Sequence, residues 1–496
     1  MLTRRGFLAG SVASVAAACG KAPTVTGKRP VVTHGVQSGD VGSGRGNVWA
    51  RCDEPARMVV EWDTTPSFAR ARRVAGPLVS PEGDLTGAVT LDGLPDGQTI
   101  AYRVRFEREA ARGASEWVAG RFATPRADRV RVAWTGDTCG QGYGRNPEFG
   151  GLLGFKALRE AQPSLFINSG DLIYGDNPIL PEQKLDDGRI WKNISNERVA
   201  RVAQSLDDFR ARFAYNFEDE HLRAFAADVP VIAQWDDHET HNNWYPDQRL
   251  EDDRYTERDI NRLAARALRA TYEWYPITRG PVNRVIRHGP LLDVVVVDCR
   301  SFRSANDANL DHPRAMLGGP QATWLVETLA ASTARWKIVA CDQPFTMQVT
   351  DGPNAQEGWA NTDHGPPRGR EVELARILAG LHAQRTRNVV WVTADVHFAA
   401  AHHCDPTRAR FADFDPFWQF IAGPIHAGTF RTDPLDATFG PEVKFEWMPD
   451  EGKGNLPPSD GLQSFGTIDV AKDALAVSIV GIDGKSRYRV EVPWTA

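Results

Sequence analysis

The chain has 496 residues, of which 42% are apolar and 25% charged, enough for more than one domain around a large buried core. A net charge of −6 argues against nucleic acid or an anionic membrane as a partner. Six cysteines spread over this length are too few for a disulfide scaffold.

The amino terminus reads Thr3-Arg4-Arg5-Gly6-Phe7-Leu8, followed by a run of small and weakly apolar residues to Ala18. Paired arginines ahead of such a run match a bacterial twin-arginine signal. The run is too short and too rich in Ala and Ser to span a membrane. Residues 1–30 are therefore read as signal and tether. They imply the twin-arginine export machinery as a partner and a periplasmic or extracellular location. Ala16-Ala17-Ala18 offers a signal-peptidase site; Cys19 directly after it offers a lipid anchor instead. Ala16 stands where a lipid-attachment box usually carries Leu, Val or Ile.

Residues 31–124 read as β-structure. Runs such as Asn47–Arg51, Met58–Trp62, Gly87–Leu91 and Ile100–Phe106 carry β-formers, with Gly, Pro and Asp between them. Leu94-Pro95-Asp96-Gly97 followed by Tyr102 resembles a tyrosine corner, so a fibronectin III-like sandwich is expected. Thr124-Pro125-Arg126-Ala127-Asp128 links it to a second domain at 128–496. There, strand-like runs alternate with helical patterns such as Gly151–Gln162, Glu197–Ala214, Asn261–Tyr275, Gln321–Thr333 and Gly369–Leu381. This predicts a layered α/β domain. The β-like tail Ser464–Val492 extends it.

Six apolar runs in this second region each end on an aspartate: Val130–Asp137, Ser164–Asp171, Val229–Asp237, Leu291–Asp298, Trp336–Asp342 and Val389–Asp395. Ligand sites in open α/β sheets lie outside the carboxyl ends of strands. Carboxylates gathered at one edge repel each other unless cations sit between them, so the pattern points to metal-dependent hydrolysis. Asp137 and Cys139 lie two apart in a glycine-flanked turn. Asp171 ends a strand and Tyr174 follows three residues later; a phenolate ligand implies a hard cation such as ferric iron. Trp235-Asp236-Asp237-His238-Glu239-Thr240-His241-Asn242 is the most specific cluster. Asp395 and His397 fall on one side of a strand end. Arg300, after Asp298-Cys299, offers a planar fork for a phosphate oxygen, or else a partner for Asp298. Asp342 is read as supporting the site. Cys299 and Cys341 are read as two buried thiols, with a bridge between them as the alternative.

In order along the chain, these segments resemble the alkaline phosphatase D (PhoD-like) family of metallophosphoesterases. The resemblance rests on the export signal, on His34-Gly35-Val36-Gln37-Ser38-Gly39-Asp40, on Gly170-Asp171-Leu172-Ile173-Tyr174, on Trp235-Asp236-Asp237-His238-Glu239 and on Asp395-Val396-His397. It implies a four-layer α/β/β/α core with ferric iron and calcium as cofactors. It also implies that Cys139, Asp171 and Tyr174 serve the iron, and that Asp171, Asp237, Asn242, Asp395 and His397 are shared among the metals. Asp-Asp-His-Glu looks like a variant of the Gly-Asn-His-Asp/Glu segment of binuclear metallophosphoesterases, which puts Asp237 in the place of a metal-binding Asn and His238 near the leaving group. Many members have no carboxylate where Asp137 stands, whereas purple acid phosphatases do, so the first metal draws on Asp137, Cys139 or both. The expected reaction is attack of a metal-bound hydroxide on a phosphomonoester or phosphodiester, assisted by His238 and Arg300. Two alternatives stand beside it: a phospholipase D-like phosphodiesterase acting on phospholipid or cell-wall diesters, and a secreted binding protein with structural metals. The long insertions Asn242–Ile260 and Thr350–Gly369 are expected to shape the substrate entrance.

Overall fold

The computed structural model describes residues 29–109, 113–311, 313–431 and 434–495. The twin-arginine segment and Cys19 lie outside the described residues.

All six Asp-ended runs form strands, three in each of two central sheets. Arg129–Thr135, Leu165–Ser169 and Val231–Gln234 run parallel in one sheet. Leu292–Val296, Trp336–Ala340 and Val389–Thr393 run parallel in the other. Successive side chains alternate between the two faces of a strand, and here both faces are apolar. Val132, Trp134, Leu165, Ile167 and Ile232 of the first sheet pack against Val294, Val296, Ile338, Ala340, Val390 and Val392 of the second. The opposite face of the first sheet carries Ala133, Phe166 and Ala233. These pack against the helices Leu153–Glu160, Leu206–Phe217, Glu220–Asp228 and Ile260–Trp274. The opposite face of the second carries Val295, Val339 and Trp391, under the helices Gly319–Ala331 and Glu371–Ala383. This is the expected four-layer α/β/β/α arrangement. The C-terminal strands Ser464–Ala471, Ala474–Gly481 and Ser486–Pro493 continue the first sheet as an antiparallel meander, Ser464–Ala471 pairing antiparallel with Arg129–Thr135.

The amino-terminal strands form a two-layer sandwich, but they do not stand apart from the sheets behind them. Ala56–Asp63, Arg72–Val79, Thr99–Glu107 and Val118–Ala123 make one layer. Val32–Gly42, Arg45–Cys52 and Thr86–Asp92 make the other, and they are also the end of the nine-stranded first sheet. The junction is parallel pairing of Gly39 with Val231. A Cβ on Gly39 would stand 2.7 Å from both the Val231 carbonyl oxygen and the Pro276 ring, so only glycine permits the approach. Side chains of this region then bind backbone beyond the linker: Gln37 donates to the Trp274 carbonyl at 3.0 Å and Trp49 to that of Glu273 at 2.7 Å. The loop at Leu94–Gly97 is closed by Thr124, whose hydroxyl donates to the Pro95 carbonyl at 2.7 Å. Tyr102 instead packs its hydroxyl under Gly120.

Candidate metal centre

The two parallel triplets release their carboxyl ends at one edge, and the side chains there are held in costly backbone conformations. Asp137, Cys139, Asp171, Asp395 and His397 all have positive φ, between 50° and 67°. Non-glycine residues adopt this region at a cost of order 1–3 kcal/mol each, and such strain clusters at functional sites. The loops also stack tightly: a Cβ on Gly170 would come within 2.4 Å of the Asp236 Cβ.

Besides Cys299, Cys341 and Asp342, three groups of donor atoms result among the described residues, the atoms of each within 4.8 Å of one another: Asp137, Asp171 and His397; Asp171, Asp237 and His238; Asp236, Asp237 and Asp395. Asp171 belongs to the first two groups and Asp237 to the last two, so the groups form a chain of shared carboxylates. His397 donates from Nδ1 to the Gly428 carbonyl at 2.6 Å, which leaves Nε2 facing Asp137 at 3.7 Å and the Tyr174 hydroxyl at 2.8 Å. A backbone acceptor on one ring nitrogen is the usual way a ligating imidazole is oriented. Tyr174 stacks on His238 with ring centres 4.3 Å apart. Asp176 holds His238 through Nδ1 at 2.8 Å, and its other oxygen accepts from the backbone N–H of Asn242 at 2.9 Å. Glu239 clasps two loops together, accepting from the backbone N–H of Leu172 at 2.6 Å and of Asp236 at 2.8 Å.

These groups fit cations. Both oxygens of Asp137, Oδ1 of Asp237 and Oδ2 of Asp236 are buried with no hydrogen-bond partner among the described residues. Unpaired buried carboxylate oxygens are expensive, and oxygen donors with one or two imidazoles suit hard metal ions. Burial, and then the neighbouring carboxylates Asp236 and Asp237, push the carboxyls of Asp137, Asp171 and Asp395 well above the usual range. A cation shared between them would reverse that shift. For His238, burial favours the neutral ring. The charge and hydrogen bond of Asp176, with Asp237, outweigh it and hold the imidazolium up to about 10.

Asp137, Asp171, Tyr174, Asp237, His238, Asp395 and His397 are thus brought together. Cys139, Asn242 and Arg300 are placed elsewhere. Cys139 is packed in the apolar cluster behind the loop, with Leu152, Phe155 and Leu172, and burial pushes its thiol up. It belongs to none of these three donor groups, whereas Asp137 belongs to one. Asn242 is exposed and contributes its backbone N–H to Asp176 while its side chain lines the cleft. Arg300 is fully buried. Its backbone N–H, not its guanidinium, binds Asp298, while the guanidinium binds Asp236 and Glu357. It therefore offers no fork to a substrate. Asp342 also lies in this floor, 3.8 Å from Arg300. The thiols of Cys299 and Cys341 are unbridged, 3.6 Å apart and buried. Pattern assigns no role to Glu239, inside the Trp235–Asn242 cluster, or to Asp176, two residues beyond Tyr174. Glu357 comes from an insertion whose pattern signals nothing.

Above the donors lies an open cleft of about 780 Å³. It is lined by Asp176, His241, Asn242, Asp252 and Arg254 together with apolar groups, among them Met347, Val349, Phe398 and Phe430. The first insertion contributes several of its lining residues and the second contributes Thr350.

Residues 17–126 match the family model for the N-terminal domain of PhoD-like phosphatases, and residues 132–477 match that of the PhoD-like phosphatase itself. The chain belongs to the PhoD-like phosphatase family. Alkaline phosphatase D of Bacillus subtilis (strain 168) is 28% identical over 433 residues, which cover 81% of this chain and 69% of that protein. A solved structure of PhoD superposes with a TM-score of 0.68 at 19% identity, covering 95% of this chain and 90% of the other. Purple acid phosphatase PPD1 from yellow lupin (Lupinus luteus) seeds superposes with a TM-score of 0.62 at 11% identity, covering 94% and 74% respectively. These two likenesses establish a shared fold. In this PhoD-like chain, the phosphatase family and the acidic and histidine donor groups meet at the same sheet edge.

Proposed function

We propose that this chain is an exported metal-dependent hydrolase of phosphomonoesters or phosphodiesters, with ferric iron and calcium as its cations. The observation that carries the reading is the chain of donor groups linked by Asp171 and Asp237, with buried oxygens that no group among the described residues satisfies. The family match and the tyrosine at the first group support it.

Asp137, Asp171 and His397 would hold one cation and Asp171 with Asp237 another; bound there, cations supply Lewis-acid polarisation of the phosphoryl oxygens and acidify water. The protein's own groups do the rest. Asp176 fixes the His238 ring and keeps its proton, so that His238 can pass it to the departing oxygen from the cleft floor. The Gly428 carbonyl fixes the His397 tautomer, and Tyr174 packs between the two imidazoles. The cleft is large for an inorganic phosphate and sized for an organic ester, which keeps a diester substrate as the second reading.

Purified protein should release phosphate or alcohol from a panel of mono- and bis-p-nitrophenyl phosphates, lose this on chelation and regain it with metal. Hydrolysis unaffected by chelation would overturn the reading. So would a metal-loaded protein inert toward the whole panel, which would instead mark a binding protein with structural metals. Export rests on Arg4 and Arg5. Arg4→Lys with Arg5→Lys should hold the protein in the cytoplasm, whereas normal export of that variant would refute a twin-arginine route.

A further inference from the structure

Four of the six Asp-ended strands, drawn from both sheets, converge on one guanidinium below the cleft. Arg300 follows Leu292–Val296, Asp342 follows Trp336–Ala340 and Asp395 follows Val389–Thr393, all in the second sheet. Asp236 follows Val231–Gln234 in the first. The Arg300 Nε lies 2.6 Å from Asp236, and the guanidinium lies 3.7 Å from Asp395, 3.8 Å from Asp342 and 3.9 Å from Asp237. Glu357 closes the ring from the far side and also takes Arg303 at 2.8 Å. Glu357 is itself placed by Arg370, which is fully buried and donates to the carbonyls of Gln356, Glu357 and Gly358 at 2.7–3.2 Å. Five carboxylates thus face one arginine that has no access to the cleft.

The metal donors come from both sheets: Asp137, Asp171 and Asp237 from the first, Asp395 and His397 from the second. Their spacing depends on how the two strand-end layers are joined, and Arg300 with Asp236 is a direct tie between them. We propose that Arg300 is a positioning residue for the metal centre, a fixed internal cation that ties the two sets of ligands together and carries the positive charge on the side that bound metal does not reach. This rests on the reading of the site as a metal centre. A planar fork holding Asp236 and Glu357 at once is work that a lysine ammonium cannot do in the same geometry.

The test uses Arg300→Met, which removes the charge, and Arg300→Lys, which keeps the charge and loses the fork. In chelator, Arg300→Met should melt roughly 5–10 °C below wild type, because breaking a buried ion pair leaves its partners uncompensated. Excess calcium should widen that gap, since ligands no longer held in place bind the cation more weakly and the wild type gains more stability from it. Arg300→Lys should show at least about a tenfold loss in kcat with KM within about twofold of wild type, as expected of a group that shapes the site without touching substrate. A melting deficit that calcium leaves unchanged would reduce Arg300 to packing. A tenfold rise in KM at constant kcat would make it a substrate ligand. Should Arg300→Met fail to fold, the Arg300→Lys kinetics decide. Failure of the functional reading is seen separately, as a wild-type protein without hydrolysis whose calcium-dependent melting still tests Arg300.

Discussion

The two ends of the same acidic floor solve one physical problem in opposite ways. Around Arg300, buried carboxylates meet buried guanidinium groups: Asp236 and Glu357 bind Arg300, and Glu357 also binds Arg303. Around Asp137 and Asp171, equally buried carboxylates meet no lysine or arginine among the described residues; the His238 imidazolium nearby is already held by Asp176, and neither side-chain oxygen of Asp137 has a hydrogen-bond partner there. Transferring an ionised carboxylate out of water is worth several kcal/mol even after relaxation, so a surface made of these groups needs positive charge from somewhere. The protein builds that charge in at one end and leaves it out at the other. The end without it opens to a cleft, where it is useful to bind a cation with room left for a substrate.

Breaking the open end should have the largest effect. Asp171 sits in two donor groups, so Asp171→Ala should lower kcat by at least about a thousandfold while the circular dichroism spectrum is kept. A rate near wild type would show that the shared carboxylate does nothing. Asp137 and Cys139 sharpen the contrast between a residue in the donor set and one behind it. Asp137→Asn should cost roughly a hundredfold and Cys139→Ser less than about threefold, read as kcat/KM on one ester at saturating metal. The reverse order would move the ligand to the thiol. His238 should matter according to the leaving group. His238→Gln should slow hydrolysis of an alkyl phosphate by about a hundredfold and that of p-nitrophenyl phosphate far less, because a good leaving group needs no proton.

A third answer to burial supplies the smallest effect. His288 is buried, neither ring nitrogen has a partner among the described residues, and burial lowers its pKa to about 4. It meets the low dielectric by staying neutral. A folded value below the unfolded value near 6.5 means that the unfolded chain binds the proton more readily. Stability from this group is complete above that unfolded value and is lost as pH falls toward about 4. Between pH 7 and pH 5 the loss should be about 2 kcal/mol, and His288→Leu should flatten that part of the urea-midpoint profile. An unchanged profile would show that another group carries the acid sensitivity.

Much of this was legible from local pattern. The six apolar runs ending on aspartate are strands because alternating faces of Val, Ile, Trp and Phe bury on both sides, and their shared direction follows from parallel pairing. Asp137, Asp171, Asp237, Asp395 and His397 therefore arrive at one edge. What pattern could not show is direction within a loop. Asp236 and Asp237 are adjacent, yet only Asp236 hydrogen-bonds Arg300 while Asp237 accepts from the backbone N–H of Asn243 and belongs to two donor groups, because the peptide between them has left the strand. Arg300 reads as a phosphate fork or a partner for Asp298 when its surroundings are unknown. It becomes an internal cation because Glu357 arrives from an insertion with no periodicity. The sandwich likewise reads as a separate unit, since nothing in Val32–Gly42 announces that Gly39 lacks the Cβ that would keep Val231 away.

The central claim is that metal ions satisfy the unpartnered carboxylates and that hydrolysis depends on them. It is tested most directly by measuring metal content and phosphoester turnover together in wild type and Asp171→Ala. The account predicts at least two bound metal ions per wild-type chain, with both bound metal and turnover lost in the variant. A variant that keeps the full complement of metal and the wild-type rate would contradict it.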